Sequence, residues 1–299
     1  MLVSLRIINL PMFDAHTHVQ FEAFKDDWRL VINRALSVGV YLVNIGTQKD
    51  TSVRAVEIAR EYKEGVYAAV GLHPIHTTKS FHDAAELGGG EEAKAFTSRG
   101  EEFDYDFYLS LARDPKVVAI GECGLDYYRN EQIANGKWQM AKDRQKEVFL
   151  QHIKIAQEVG KALMIHCRPS KGTDDAYDDL LKLITGNSQP ITVPKISHFY
   201  VGSVAVTKKM LATDFYFEFG GVITFTHDYD EQIKAIPLNH LLTETDAPYV
   251  SPEPYRGKRN EPSYVVEVVK RLAEIKGVSY DEMARVTDEN ARRIFKIPN

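Results

Sequence analysis

Eight apolar runs of strand length, each followed by a stretch of helical periodicity, set the tightest limit on how this chain can fold. In order they are P-M-F-D-A-H, V-Y-L-V-N-I-G, V-Y-A-A-V-G, V-V-A-I-G-E, A-L-M-I-H, V-P-K-I-S-H, F-Y-F-E-F-G-G and H-L-L-T-E-T-D. Most are continuously apolar, as parallel strands covered on both faces are. Helical stretches lie between them, at 27–37, 52–62, 141–159 and 204–211 among others. In the second of these, Val53, Val56, Ala59 and Arg60 trace one mostly apolar helical face. Gly160 separates a helical stretch from a strand, where a C-terminal helix cap belongs. Repeated β–α alternation with no opposing block of strands predicts an α/β fold, a single (β/α)8 TIM barrel. An open doubly wound sheet is the rival, and the strand count favours closure.

A chain of 299 residues is ordinary for one barrel domain spanning 1–299. Within it, 1–11 reads as an N-terminal extension, with translation starting at Met1 or Met12. The stretch 76–108, which contains Leu87 and three glycines after it, reads as a long rim insertion with partial helix. No apolar run is long enough to span a bilayer, and the first residues lack a signal-peptide pattern. Two cysteines, Cys123 and Cys167, fit a reducing compartment, so a cytoplasmic location without membrane association is expected. A net charge of −5 argues against broad electrostatic capture of nucleic acid, so any phosphate recognition must be local to a pocket.

The chemistry gathers at the strand ends. His16, His18, His166 and His198 fall at the C-terminal ends of predicted strands one, five and six, Glu122 at the end of the fourth and Asp246 at the end of the eighth. In a (β/α)8 barrel these ends form one face, where active sites lie. Strand parity turns His16 and His18 to one side, and pairs Ile120 with Glu122, Met164 with His166, Ile196 with His198 and Glu244 with Asp246. Asp14 and Glu244 sit one layer deeper, as candidates to hydrogen-bond the ligands. Singly, each histidine is more often a satisfied structural residue, and each carboxylate a helix cap. Together they have no common structural purpose, and they exceed what one four-coordinate ion needs. They suit two divalent ions sharing a bridging carboxylate and a water, with Zn, Mn, Fe or Co compatible and Mg also possible.

The motifs F-D-A-H-T-H, G-L-H-P, G-E-C-G-L-D-Y, Q-K-E-V-F, I-H-C-R, S-H-F and E-T-D-A-P-Y, in this order, resemble those of the TatD-type deoxyribonuclease family of the amidohydrolase superfamily. Y-R-G-K-R-N-E-P at 255–262 and T-D-E-N-A-R-R-I-F at 287–295 extend the resemblance from about Met12 to Phe295. It implies that His16, His18 and Asp246 hold one metal, that His166 and His198 hold the other, and that Glu122 bridges them. Asp246 would also take a proton from the attacking water. His73 and Arg168 would contact the scissile phosphate, and Arg259 matches a phosphate-side basic position. The chain differs from the family pattern at Ile75 before His76, at Pro169-Ser170 after Arg168, and at Phe199-Tyr200 after His198.

The leading functional expectation is therefore a metal-dependent phosphodiesterase with DNA as substrate, a 3′-5′ exodeoxyribonuclease using two divalent ions (Mg, Mn or Zn). Arg168, Arg256, Lys258 and Arg259 on rim loops suit phosphate, and rim aromatics such as Tyr127, Tyr128, Phe199, Tyr200 and Tyr249 suit base stacking. Cys123 and Cys167 neighbour ligands but alternate away from the pocket, so they are expected to be core thiols. The alternatives are a hydrolase of a small amide, lactone or phosphoester, and a non-enzymatic binding protein on the same scaffold.

Overall fold

The computed structural model describes residues 11–79, 81–82, 96–98, 100–128, 137–186 and 190–298. Residues 1–10 of the N-terminal extension, and residues 80, 83–95 and 99 of the 76–108 insertion, Leu87 and the three glycines after it included, lie outside them. The main strands are β1 (Met12–Thr17), β2 (Val40–Ile45), β3 (Val66–Val70), β6 (Val117–Asp126), β7 (Ala162–Arg168), β8 (Lys195–Ser197), β9 (Phe215–Phe219) and β10 (Leu241–Thr243). They form one eight-stranded sheet in that order, and each neighbouring pair runs parallel. The two edges meet. Thr17 bridges Ala247, His18 N–H donates to the Ala247 carbonyl at 2.8 Å, and Asp246 N–H donates to the His16 carbonyl at 2.9 Å. The sheet is thus a barrel, as the strand count predicts.

Helices α1 (Trp28–Ser37), α2 (Lys49–Arg60), α3 (Tyr105–Ala112), α4 (Lys137–Val159), α5 (Asp175–Thr185), α6 (Val204–Leu211), α7 (Asp230–Ala235), α8 (Val265–Lys276) and α9 (Tyr280–Phe295) alternate with the strands, the last two following β10. Their buried faces pack on outward strand residues in the larger apolar cluster. The face of α2 differs from the expected one: Ser52, Ala55, Val56 and Ala59 are buried and Arg60 is exposed. The helix begins three residues earlier than its apolar periodicity suggests, with Gln48 and Thr51 forming a capping box. A smaller cluster fills the barrel: Phe13, Ala15, Val43, Ala119, Met164 and Ile196 point inward, and Ile294 and Phe295 of α9 join them. The open end for chemistry is therefore the C-terminal one.

The insertion carries a feature that the sequence reading did not anticipate. Besides the helical part, its described residues include two short antiparallel strands, β4 (Phe81–His82) and β5 (Phe96–Thr97). No helix among the described residues is long and apolar enough to cross a membrane.

Candidate metal centre

The residues expected as ligands reach the pocket in two ways. On β7, β8 and β10 simple alternation holds, with Met164, Ile196 and Leu242 inside the barrel below His166, His198 and Glu244. On β1 and β6 it does not. Ile120 packs outward with the helices, whereas Ala119 faces the interior, so the expected pairing of Ile120 with Glu122 fails. The cause is a bulge: Ile120 pairs with Leu163 and Cys123 with Ile165, which sets three residues of β6 against two of β7. Gly121 makes the bulge possible, because at φ +147° an added Cβ would lie 2.2 Å from the Met164 carbonyl oxygen. A similar shift between Asp14 and Thr17 re-aims His16 and His18 on β1. Asp246 itself has φ +53°, an uncommon conformation for a non-glycine residue and one that recurs at functional sites.

Glu122 is the centre of the arrangement, almost fully buried. Its Oε2 lies 3.5 Å from His16 Nε2 and 3.9 Å from His18 Nε2. Its Oε1 lies 3.0 Å from His166 Nδ1, 3.2 Å from His73 Nε2 and 3.6 Å from His198 Nε2. Asp246 Oδ1 closes the first group, 3.3 Å from His18 Nε2 and 3.8 Å from His16 Nε2. The structure thus brings together all six expected metal ligands, with one carboxylate oxygen facing each histidine group. His73, expected at the phosphate, joins the second group; its Nδ1 accepts from Ile75 N–H, so Nε2–H is the donor facing Glu122. The loop bearing His73 is pinned from behind, where His152 of α4 accepts the Leu72 N–H at 3.0 Å and donates to the Val148 carbonyl.

The donor set fits divalent cations. His18 Nδ1–H donates to the Ile45 carbonyl at 2.8 Å and His198 Nδ1–H to Glu244 at 2.5 Å, so both rings present Nε2 toward Glu122. Burial, reinforced by His198, lowers the His16 pKa to about 3 and keeps the ring neutral. Burial works against ionising Glu122 and Asp246, but the surrounding histidines outweigh it and hold both below the usual carboxylate range. Converging imidazoles and ionised carboxylates are the ligand types such ions take, the ions displacing any ring proton when they bind.

Two buried carboxylates escaped the sequence reading. Asp126 accepts from His166 Nε2 at 2.8 Å, leaving that ring between two acids. Burial opposes the charge, but the two acids raise the His166 pKa to about 9, and His166 in return lowers that of Asp126 to about 2. The available signal was spacing, since Asp126 lies four residues beyond Glu122 on the same strand. The other is Glu218, the lone acid of the F-Y-F-E-F strand. Burial pushes both Glu218 and Glu244 well above the ordinary range, reinforced by Glu244 in the first case and by Asp246 in the second. Glu244 takes the deeper supporting role expected of it. Asp14 does not, because its carboxylate accepts from Thr245 N–H at 2.8 Å and Thr245 Oγ1 at 2.6 Å at the barrel seam. Burial raises its pKa to about 8.

Arg168 leaves β7 two residues after His166 and lies over the Tyr128 ring at 3.8 Å. Arg259 is not brought to Glu122. Its guanidinium forks onto Asp27 at 2.9 and 2.6 Å, donates to the Ala23 carbonyl and lies over Phe24. Cys123 and Cys167 are buried in the outer cluster, and burial pushes both thiols well up.

The sequence profile described as TatD related DNase matches residues 13–296. The chain belongs to the TatD family. A relative from Bacillus subtilis (strain 168), named uncharacterized metal-dependent hydrolase YabD, is 37% identical over 290 residues, 96% of this chain and 99% of its own. A Pectobacterium parmentieri (strain WPP163) protein named 3′-5′ ssDNA/RNA exonuclease TatD is 29% identical over 294 residues, covering 96% and 100%. Among solved structures, the TatD homologue YJJV of Escherichia coli K12 superimposes with a TM-score of 0.73 at 23% identity over 97% of this chain and all of that one, a likeness of fold. This TatD chain is accordingly a metal-dependent hydrolase on a TIM barrel.

Proposed function

We propose that the chain is a two-metal phosphodiesterase that shortens single-stranded DNA from the 3′ end. The observation that carries this reading is the division of Glu122, with one oxygen toward His16 and His18 and the other toward His166 and His198. Two ions bound to these sets would supply Lewis acidity to a water and to the phosphate oxygens. Asp246, on the His18 side, would accept the proton that water loses on attacking phosphorus. His73 Nε2–H and the Arg168 guanidinium donate to the phosphate oxygens, where charge grows as the ester bond breaks. Neither buried thiol takes part. Arg259, held by Asp27, braces the rim loop instead of meeting phosphate.

A polynucleotide is favoured over a small ester by the surface of the rim. Among the described residues the exposed aromatic side chains are Tyr128 and Phe225, at 41% and 42%. Both lie on loops that follow strand ends, and each is covered by an arginine, Arg168 at 3.8 Å and Arg256 at 4.0 Å. Rings for bases beside guanidinium groups for phosphates are how sequence-tolerant single-strand binders work. The named activity of the Pectobacterium relative points the same way. The test is a parallel assay of single-stranded DNA and a panel of small phosphodiesters, lactones and amides with wild type and Tyr128→Ala. The proposal expects DNA cleavage that falls several-fold in the variant while turnover of any small ester is unchanged. Efficient hydrolysis of a small substrate with none of DNA overturns it.

A further inference from the structure

Directly beneath the site lies a carboxylate without a donor. Glu218, in β9, is 0% exposed, and no N–H or hydroxyl of another described residue donates to either oxygen; its carboxyl instead meets that of Glu244, to which its own proton can donate. The Nδ1 of His16 is buried and unpartnered among the described residues. The two groups face each other at 4.0 Å. The ring of His198 stacks on that of His16 at 3.5 Å with only 14° between planes, and its Nδ1 lies 3.9 Å from the same Glu218 oxygen. His198 already has a partner, since its Nδ1–H donates to Glu244. Two carboxylates thus stand under two stacked rings, and one ring has its acceptor while the other falls about 1 Å short of one.

A buried polar group left unpaired is costly, and each one in a folded core calls for an account. A neutral carboxyl held against Glu244 would account for Glu218 but leaves the buried Nδ1 of His16 without a partner. A third ion between the four groups does not supply it either, because it would have to displace the 2.5 Å bond from His198 to Glu244. We infer that Glu218 is the positioning residue for His16: when the Nε2 of His16 ligates an ion, its Nδ1–H donates to Glu218, as His198 donates to Glu244. The ring is already oriented for this, with Nε2 on the Glu122 side and Nδ1 on the Glu218 side. Ligation through Nε2 leaves the ring proton on Nδ1, and a small tilt closes 4.0 Å to the ~2.9 Å of an N–H···O bond. The inference rests on His16 being a ligand and is independent of which ester the site cleaves.

The experiment titrates zinc into metal-free, full-length protein against a chromophoric chelator, with elemental analysis, and records the thermal midpoint of each metal-free variant. Glu218→Gln is expected to weaken one of the two zinc ions by about 10–100-fold and to leave the other near wild type. Its metal-free midpoint should stay near that of wild type, because the isosteric amide can still donate to Glu244. Wild-type affinity for both ions overturns the assignment. So does a lower metal-free midpoint with both ions weakened alike, which is the signature of packing. Glu218→Leu, of similar volume, answers the same question if the amide is not accommodated. His16→Ala separates the two levels of the argument. If it too leaves zinc binding intact, the ligand reading has failed; if it weakens zinc and Glu218→Gln does not, only the role of Glu218 has.

Discussion

Replacing Gly121 with alanine should damage both the stability of the barrel and the site built on it. The new Cβ would sit 2.2 Å from the Met164 carbonyl oxygen and 2.8 Å from Met164 Cβ, about 1 Å inside carbon–oxygen contact. The backbone there has φ +147°, a region that is nearly glycine-only. Overpacking costs about 1–3 kcal/mol and the conformation another ~1–3 kcal/mol, so the sum is roughly 2–6 kcal/mol. For a chain of this size that corresponds to a midpoint lower by about 3–10 °C. The only relief is for β6 to draw away from β7, which carries Glu122 off His166, now 3.0 Å distant. Metal occupancy should therefore fall with stability. Circular-dichroism melting of metal-free protein reads the first effect and elemental analysis the second. Gly172→Ala is the control, since Gly172 has φ +74° but no atom within 4 Å of an added Cβ, so only the conformational cost remains. A Gly121→Ala protein that melts with the wild type and binds its full complement of metal would refute the claim that the β6 bulge aims Glu122.

Three further outcomes follow from the same geometry. Glu122→Gln should lower occupancy of both ions together, since each of its oxygens faces a different histidine group; elemental analysis showing full occupancy with unchanged turnover would remove its bridging role. Cys167→Ser should keep most activity, and neither native thiol should react with a disulfide reagent at pH 8, because burial holds both pKa values well up. Burial lowers the His152 pKa to about 4, against 6.5 when unfolded, so the unfolded chain binds the extra proton between these values. Stability should then drop by up to ~3 kcal/mol as pH falls from 6.5 to 4; melting curves across that range should flatten in His152→Gln, and an equal slope in both proteins would contradict the assignment.

What the sequence made legible was whatever depends on local period. All eight strands could be read as strand-length apolar runs, and the convergence of the six residues expected as ligands could be read because five of those runs end in histidine or a carboxylate and a barrel gathers such ends on one face. Bulges are not local, because they depend on which residue of β7 opposes which residue of β6; alternation therefore misplaced Ile120. The role of Asp14 was hidden likewise, since its partner Thr245 comes from the far end of the chain across the barrel seam. Arg259 looks like a phosphate contact in a basic turn, until folding brings Asp27 to it from 232 positions away. Glu218 was visible as one acid among four aromatic or apolar neighbours, but only the stacked rings of His16 and His198 above it give it meaning.

The central claim is tested most directly by incubating metal-stripped protein with 5′-labelled single-stranded DNA, restoring Mg, Mn or Zn in turn, with Asp246→Ala alongside. The account predicts a ladder of products shortening from the 3′ end that appears only with metal and is absent from the Asp246→Ala protein. No cleavage with any metal, in protein shown to be folded and metal-loaded, would contradict it and leave a hydrolase of small substrates in its place.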